Sequence, residues 1–362
     1  MKSIDIIAGA RPNFIKIAPI IKSIEKKRMS SNSSFGYRLI HTGQHYDKKM
    51  SSDFFTQLDI PSPDINLNVG SGTQAQQTAA IMVSYEKILI DKPTDLCLVV
   101  GDVNSTAACS IAAKKLGISV AHVEAGIRSG DNSMPEEINR IITDSITDYF
   151  FTTSTYANKN LKKIGVNDEN IFFVGNAMID TLVANLGNFK PPAFFANRND
   201  ADYFILTLHR PTNVDDIEIL EALLDAIGSA SRGIDIFFPI HPRTKKSIQA
   251  IKALPKNIFV VDPLPYLEFN YLVQNSKAVI TDSGGITEEA TYMGVPCLTL
   301  RDSTERPETI NDGTNVLVGT NPLNIKPMLD ELFDNKWKKG KIPLLWDGKT
   351  SERIVEVIEN LI

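Results

Sequence analysis

The sequence predicts an α/β protein: two doubly wound parallel sheets, each covered by helices, facing each other across a cleft. Three observations predict it. Short apolar runs rich in β-branched residues alternate with segments of helical period from one end of the chain to the other. Most of those runs stop at Gly, Asp, Asn or Thr, which suits strand ends feeding turns. The chain has 362 residues, more than the roughly 250–300 at which one core stops growing, so the pattern divides between two domains.

In the first half, strands are expected at Ile4–Ala8, Tyr37–Ile40, Leu96–Val100, Ser119–His122, Tyr149–Thr152 and Ile171–Val174. They are short and largely apolar, as strands covered on both faces must be. The amphipathic stretches Thr73–Ile90, Ser105–Leu116 and Glu136–Thr147 supply crossover helices. Periodicity then lapses over Gly187–Asp202, which holds Pro191-Pro192 and reads as a linker. Alternation resumes with strands expected at Tyr203–Leu208, Asp235–Pro239, Ile258–Val261, Ala278–Thr281, Val295–Leu300 and Val316–Val318. Ser351–Ile362 is a last helical pattern with no strand after it, expected to cross back to the first domain. The expected division is therefore 1–186, 187–350 and a returning 351–362.

Composition narrows the function. Lys and Arg number 38 against 43 Asp and Glu, a net charge of −5, which argues against nucleic acid or an anionic membrane as partner. It leaves room for one local anion site. No run approaches the roughly 18–20 apolar residues of a membrane span, and the apolar stretch before Arg11-Pro12 is too short for a signal peptide core. A cytoplasmic protein is expected. Cys97, Cys109 and Cys297 lie in apolar runs without CxxC spacing, as structural thiols do, and no zinc site or other metal is indicated.

In open α/β sheets ligands gather outside the carboxyl ends of the strands, so the polar residues that follow each strand are the candidates. Gly9-Ala10-Arg11-Pro12-Asn13-Phe14-Ile15-Lys16 follows the first. Pro12 suits a first helical turn, and Arg11 and Lys16 near a helix N-terminus are unfavourable unless an anion binds there. His41, Gln44 and His45 surround the end of the second strand, without the Cys or carboxylates of a zinc site. Asp102 follows the third, with Ser105 and Thr106 available to cap the next helix. His122 and Glu124 follow the fourth, and Glu136 and Arg140 open a helix four residues apart on one face. Taken singly, each also suits a plainer role: surface cation, core histidine, turn aspartate or solvated ion pair. Together, Asp102, Glu124 and Glu136 converge on one cleft edge, where carboxylates in different surroundings divide into acid and base.

In the second half His209-Arg210-Pro211 and His241-Pro242-Arg243 end two more strands. Asp282-Ser283-Gly284-Gly285-Ile286-Thr287-Glu288-Glu289 is a strand-to-helix turn whose Ser283, Gly284 and Gly285 amides can face an anion, unobstructed by Cβ at the glycines. Glu289, one turn on, is placed to accept hydrogen bonds from ribose hydroxyls. The stretch is neither a Walker loop nor GxGxxG, so adenine nucleotide and NAD are not indicated. Arg306 offers a second contact to phosphate or hydroxyl.

The eleven stretches GARPNFIKIAPI, TGQHYD, GDVNST, HVEAGIRS, PEEINR, GNAMIDTL, LHRPTNV, PIHP, DSGGITEEA, GVPCL and RDSTERPE occur in this order across Gly9–Glu308. Together they resemble the UDP-N-acetylglucosamine 2-epimerases of the non-hydrolysing bacterial and archaeal branch. The resemblance implies a GT-B fold, a homodimer, and an active site between domains that uses no metal and no nicotinamide. It implies inversion at C2 of UDP-N-acetylglucosamine to UDP-N-acetylmannosamine through loss and re-addition of UDP. Asp102, Glu124 and Glu136 are then the acid/base set, with His209 beside the pyrophosphate. Arg11, Lys16, Arg140 and the Ser283, Gly284 and Gly285 amides hold UDP or sugar, Glu289 holds the ribose, and Phe269 with Arg306 completes the nucleotide pocket. Gln44, His45 and His241 belong to a second, regulatory site. The chain departs from the family at His209-Arg210-Pro211-Thr212, where the family reads HRRE, and in Asn68–Gln74, which lacks the Arg of activated members. Alternatives are a hydrolysing 2-epimerase that releases N-acetylmannosamine and UDP, a GT-B glycosyltransferase, a nucleotide-sugar sensor, or an epimerase of a diacetamido uronic acid nucleotide.

Overall fold

In the computed structural model the described residues are 2–30, 35–43, 57–195, 202–240 and 242–362. They group into two compact units, Met1–Ala184 with Leu344–Ile362, and Asn185–Pro343. The first unit carries strands β1 (Lys2–Ala8), β2 (Phe35–His41), β3 (Ile65–Asn66), β4 (Leu96–Val100), β5 (Ser119–Val123), β6 (Tyr149–Thr152) and β7 (Ile171–Phe173). They form one seven-stranded sheet in the order β3-β2-β1-β4-β5-β6-β7. Every pairing is parallel. The strand that sequence periodicity missed is β3, which pairs only Ile65 with Ile40 and Asn66 with His41, too short to show a period.

The crossover helices Gln74–Asp91, Asn104–Lys115 and Pro135–Ile146 lie within one residue of their expected bounds. Thr73 caps the first, accepting from the Gln76 amide while Gln76 returns a bond to the Thr73 amide. The expected cap at Asn104–Lys115 is corrected. Ser105 and Thr106 are already inside that helix, its N-cap is Val103, and the Thr106 hydroxyl turns back to the Val100 carbonyl.

The C-terminal helix Thr350–Leu361 packs on helix Arg11–Met29 of the same unit. Its own N-cap residue, Lys349, makes no side-chain bond. Asp180 substitutes for it, accepting from the Thr350 amide (3.0 Å), the Ser351 amide (2.6 Å) and the Ser351 hydroxyl (2.7 Å). Trp346, buried just before, donates from Nε1 to the Thr153 carbonyl.

The second unit carries β8 (Tyr203–Thr207), β9 (Asp235–Pro239), β10 (Ile258–Val261), β11 (Ala278–Thr281), β12 (Cys297–Thr299) and β13 (Asn315–Leu317), in the sheet order β10-β9-β8-β11-β12-β13. Alternate residues feed two cores. Phe204, Leu206, Phe238 and Ile280 face one, while Tyr203, Ile205, Phe237 and Val279 face the other. Part of the stretch expected to be a linker is packed: Ala193–Phe195 forms a short 3₁₀ turn, and Phe195 meets the Tyr203 ring edge-on at 4.9 Å. Cys97, Cys109 and Cys297 are free and buried, and burial pushes the Cys297 thiol up to about 12. Among the described residues no helix is long and apolar enough to cross a membrane.

Both sheets reverse strand order at their centre, between β1 and β4 in one and β8 and β11 in the other. At such a switch point the loops part in opposite directions and leave a crevice at the carboxyl ends.

Candidate functional site

In the first unit the crevice is built around Gly101, which follows β4. Its φ is +70°, and a Cβ there would meet Lys16 Nζ at 3.4 Å, Asn13 Nδ2 at 3.5 Å and Glu124 Oε2 at 3.5 Å. These are ordinary contact distances, so it is the left-handed backbone that calls for glycine here. Asn13 ties the first helix to this corner by donating to the Val100 carbonyl at 2.7 Å. Lys16 Nζ lies 2.5 Å from Glu124 Oε2, with the two side chains 10% and 3% exposed. Within the chain itself, the anion expected beside Lys16 is supplied by Glu124.

Glu124 itself sits at φ +73°, left-handed backbone that a non-glycine residue rarely adopts and that costs on the order of 1–3 kcal/mol. Its surroundings impose the conformation. The amides of Glu124 and Ala125 both donate to the Phe151 carbonyl, and the Gly126 amide donates to Asp144. Asp144 is buried and also meets His122 Nδ1 at 2.7 Å and Arg128 Nη1 at 2.6 Å. Burial alone would raise its carboxyl, but His122 and Arg128 outweigh that and hold it below the usual range. His122 Nε2 donates onward to the Gly101 carbonyl at 2.8 Å. His122 is therefore a brace inside the protein.

Asp102 turns toward Arg140, whose Nε and Nη2 reach Asp102 Oδ2 at 3.0 and 2.6 Å. The third guanidinium nitrogen, Nη1, holds Glu137 Oε2 at 2.6 Å. The Glu136–Arg140 pair expected from four-residue spacing does not form. Glu136 is exposed and unpaired among the described residues, whereas buried Glu137 takes Arg140 and the Ser129 and Gly130 amides. Burial acts to raise the Glu137 carboxyl, and these donors together bring it below its ordinary value. Asp102 remains 31% exposed and approachable, unlike Glu124.

In the second unit Asp282 is fully buried at the end of β11. It accepts from the His209 and Arg210 amides, from Asn213 Nδ2 at 3.2 Å, and lies 2.8 Å from His209 Nδ1. The helix Gly284–Met293 starts immediately after, and its N-cap Ser283 makes no side-chain cap. One of the three expected anion-facing amides is corrected: the Ser283 N–H already donates to Thr281 Oγ1 at 2.9 Å. The Gly284 and Gly285 amides carry the helix-end positive charge. A Cβ on Gly284 would lie 2.7 Å from Glu305 Oε1. Glu305 in turn takes Arg301 Nη2 at 2.6 Å and stands 3.8 Å from Arg210 Nη2. Arg306, expected as a ligand contact, is buried with its Nε 2.7 Å from Glu288.

Glu289 is buried on the same helix, beside Tyr266 and Asn270. Burial pushes its carboxyl up to about 7, against hydrogen bonding from those two residues. The Asn270 amide oxygen is buried without a partner among the described residues, as a polar atom facing a ligand's hydroxyls would be. Phe269 is half-buried and packs on the core that contains Leu272 and Val279. Gln44, His45, His241 and the Arg11 side chain lie outside the described residues. Among the described residues, no group of three or more acidic, His or Cys side chains is gathered for a metal.

Glu137, Asp144, Asp282, Glu288, Arg301 and Glu305 are site neighbours that sequence reasoning did not single out. For Glu137 and Glu288 the signal was a doubled acidic residue, with the partner chosen only by helix phase. Asp282 adjoins the glycine turn and was readable as a turn residue only.

Two Rossmann-like units, one with glycine amides at a helix N-terminus and a buried carboxylate on the same helix, the other with carboxylates ion-paired at the ends of neighbouring strands, are the frame of an enzyme class that handles nucleotide-linked substrates. The sequence profile described as UDP-N-acetylglucosamine 2-epimerase matches residues 27–359, and the chain belongs to that isomerase family. It is 42% identical to the UDP-N-acetylglucosamine 2-epimerase of Methanocaldococcus jannaschii, over 98% of each chain. It is 38% identical to the UDP-2,3-diacetamido-2,3-dideoxy-D-glucuronate 2-epimerase of Pseudomonas aeruginosa, over 100% of each. The crystal structure of the Methanocaldococcus jannaschii UDP-GlcNAc 2-epimerase, in complex with UDP-GlcNAc and UDP, matches at a TM-score of 0.89, covering 99% of each chain at 41% identity. The fold is of the GT-B class.

Proposed function

We propose that the protein interconverts UDP-N-acetylglucosamine and UDP-N-acetylmannosamine. A base takes the C2 proton while the C1–oxygen bond breaks, leaving 2-acetamidoglucal and UDP. A proton is then returned to the opposite face of C2, and UDP re-forms the bond at C1. The observation that carries this reading is the pairing of two carboxylates with two cations around Gly101. Glu124 sits on Lys16 and Asp102 on Arg140, in different surroundings and at the ends of neighbouring strands. Such a pair can divide the work of removing and delivering a proton. Glu136 is a third acid/base candidate from the first helical turn. The second unit supports the nucleotide: Gly284 and Gly285 amides for phosphate, His209 beside them, and Glu289 for the ribose.

Incubation with UDP-N-acetylglucosamine in heavy water tests the reading. Deuterium at C2 of both epimers is expected, and its absence overturns it. Accumulation of free N-acetylmannosamine would show the hydrolysing reaction instead. Asp102→Asn and Glu124→Gln should each slow exchange by on the order of 10²–10⁴. Full exchange and turnover in either variant removes that residue from the acid/base set.

The full-length match to a diacetamido-glucuronate epimerase, together with Pro211-Thr212, favours one second reading, a UDP-2,3-diacetamido uronic acid as substrate. Relative kcat/KM for the two nucleotides decides between them. We also infer a cytoplasmic homodimer that supplies sugar for polysaccharide synthesis. Ile138, Ile141 and Ile142 leave an apolar row exposed on helix Pro135–Ile146, a surface suited to a second copy. Light scattering should give a dimer for the natural chain and a monomer for Ile138→Lys/Ile141→Lys.

A further inference from the structure

Asp282 and His209 come from neighbouring strands at the switch point of the second sheet. In β8 and β11 the register pairs Thr207 with Thr281, so residue 282 emerges beside residues 208–210. The carboxylate meets His209 twice, at the main-chain N–H (3.1 and 3.0 Å) and at ring Nδ1 (2.8 Å), and it takes the Arg210 amide at 2.9 Å. It is 0% exposed, and the Asn213 amide closes its remaining side. Burial would raise the Asp282 carboxyl, but the His209 ring and the two main-chain donors outweigh it and hold the group below the ordinary value. An ionised carboxylate only accepts, so a nitrogen 2.8 Å away must carry a hydrogen. The same carboxylate–imidazole pairing occurs at Asp144 and His122, yet there the ring is 0% exposed and its other nitrogen is spent on Gly101. The His209 side chain is 38% exposed and is held by a carboxylate two residues ahead of helix Gly284–Met293.

We propose that Asp282 is a positioning residue for His209, keeping the proton on Nδ1 so that Nε2 is the nitrogen presented to the substrate diphosphate. The inference deepens the epimerase reading and rests on it for the identity of the ligand. The carboxylate fixes the tautomer, the ring orientation and the course of the 209–213 turn at once. A triad aspartate does the same for a catalytic histidine elsewhere.

The test is ring-¹⁵N NMR of the full chain, with His209 resonances assigned by their loss in His209→Gln. In the natural protein Nδ1 should be the protonated nitrogen, and added UDP should move the Nε2 resonance while Nδ1 stays in place. In Asp282→Asn the proton should shift to Nε2. There kcat/KM for the UDP-sugar should fall about 10²–10⁴-fold, mostly through kcat. A His209 protonated only on Nε2 in the natural protein overturns the proposal. So does an Asp282→Asn protein that keeps the Nδ1 proton, whatever its activity. If Asp282→Asn does not fold, the spectrum of the natural protein decides. The expected tautomer and UDP response without turnover of UDP-sugar would uphold the positioning role and sink the epimerase reading alone.

Discussion

Exchange of Glu289 for Gln removes one ionisable group from inside the second unit while keeping its shape. Glu289 is 5% exposed, and burial pushes its carboxyl from 4.5 up to about 7. Between those values the unfolded chain has lost the proton while the folded protein still holds it. The unfolded state then binds fewer protons, so stability falls as pH rises from 4.5 to about 7 and levels off above. A gap of about 2.5 pH units at roughly 1.4 kcal/mol each makes the loss about 3 kcal/mol. Gln keeps a carbonyl for Asn270 Nδ2, 3.5 Å from Glu289 Oε1, and its amide can donate to the unpartnered Asn270 oxygen. The assay is urea unfolding at a series of pH values. Trp337 lies in the same unit, and with 5-fluorotryptophan its ¹⁹F signal separates from that of Trp346. The natural protein should lose about 3 kcal/mol more than Glu289→Gln across this pH range. A difference below about 1 kcal/mol, or one of opposite sign, would refute the reasoning.

The same carboxylate should couple to nucleotide binding. Ribose hydroxyls donate best to the ionised form, so from pH 6 to 8 UDP affinity by calorimetry should strengthen up to about tenfold more in the natural protein than in Glu289→Gln, where only the nucleotide's own phosphate ionisation contributes. Lys16→Met leaves Glu124 buried without its cation. Denaturant melts should show a loss of about 3–5 kcal/mol, and C2 deuterium exchange should fall by at least about 10². Gly126 lies at φ +78°, with a Cβ position 2.5 Å from the Ala157 carbonyl and 2.8 Å from Leu161. Gly126→Ala should therefore cost at least about 2 kcal/mol in the same melts, and a neutral result would mean the helix behind it yields.

Strand after strand was legible in the sequence because burial on both faces leaves a contiguous apolar run. Asp102, Glu124 and the glycine turn could be singled out because each follows such a run directly. Partnership was not legible. Glu136 and Glu137 are adjacent in one helical turn, and spacing favoured Glu136 as Arg140's partner. The structure chose Glu137, since an i,i+3 pair reaches inward here while Glu136 points out. Arg306 reads from sequence as a contact to phosphate or hydroxyl, and its ion pair with Glu288, 18 residues away, is made only by the fold.

The sequence by itself determined that this chain builds two parallel sheets and where the polar corners fall, because period and turn residues are local properties. It also determined the family, through motifs whose order survives without coordinates. Only the tertiary structure decided what each charged group faces. Lys16 meets Glu124 across 108 residues, and Asp282 meets His209 across 73. The reason is the switch point: residues far apart in sequence become neighbours when β1 lies against β4 and β8 against β11. There a buried charge needs a partner, and strand order, not sequence spacing, selects it.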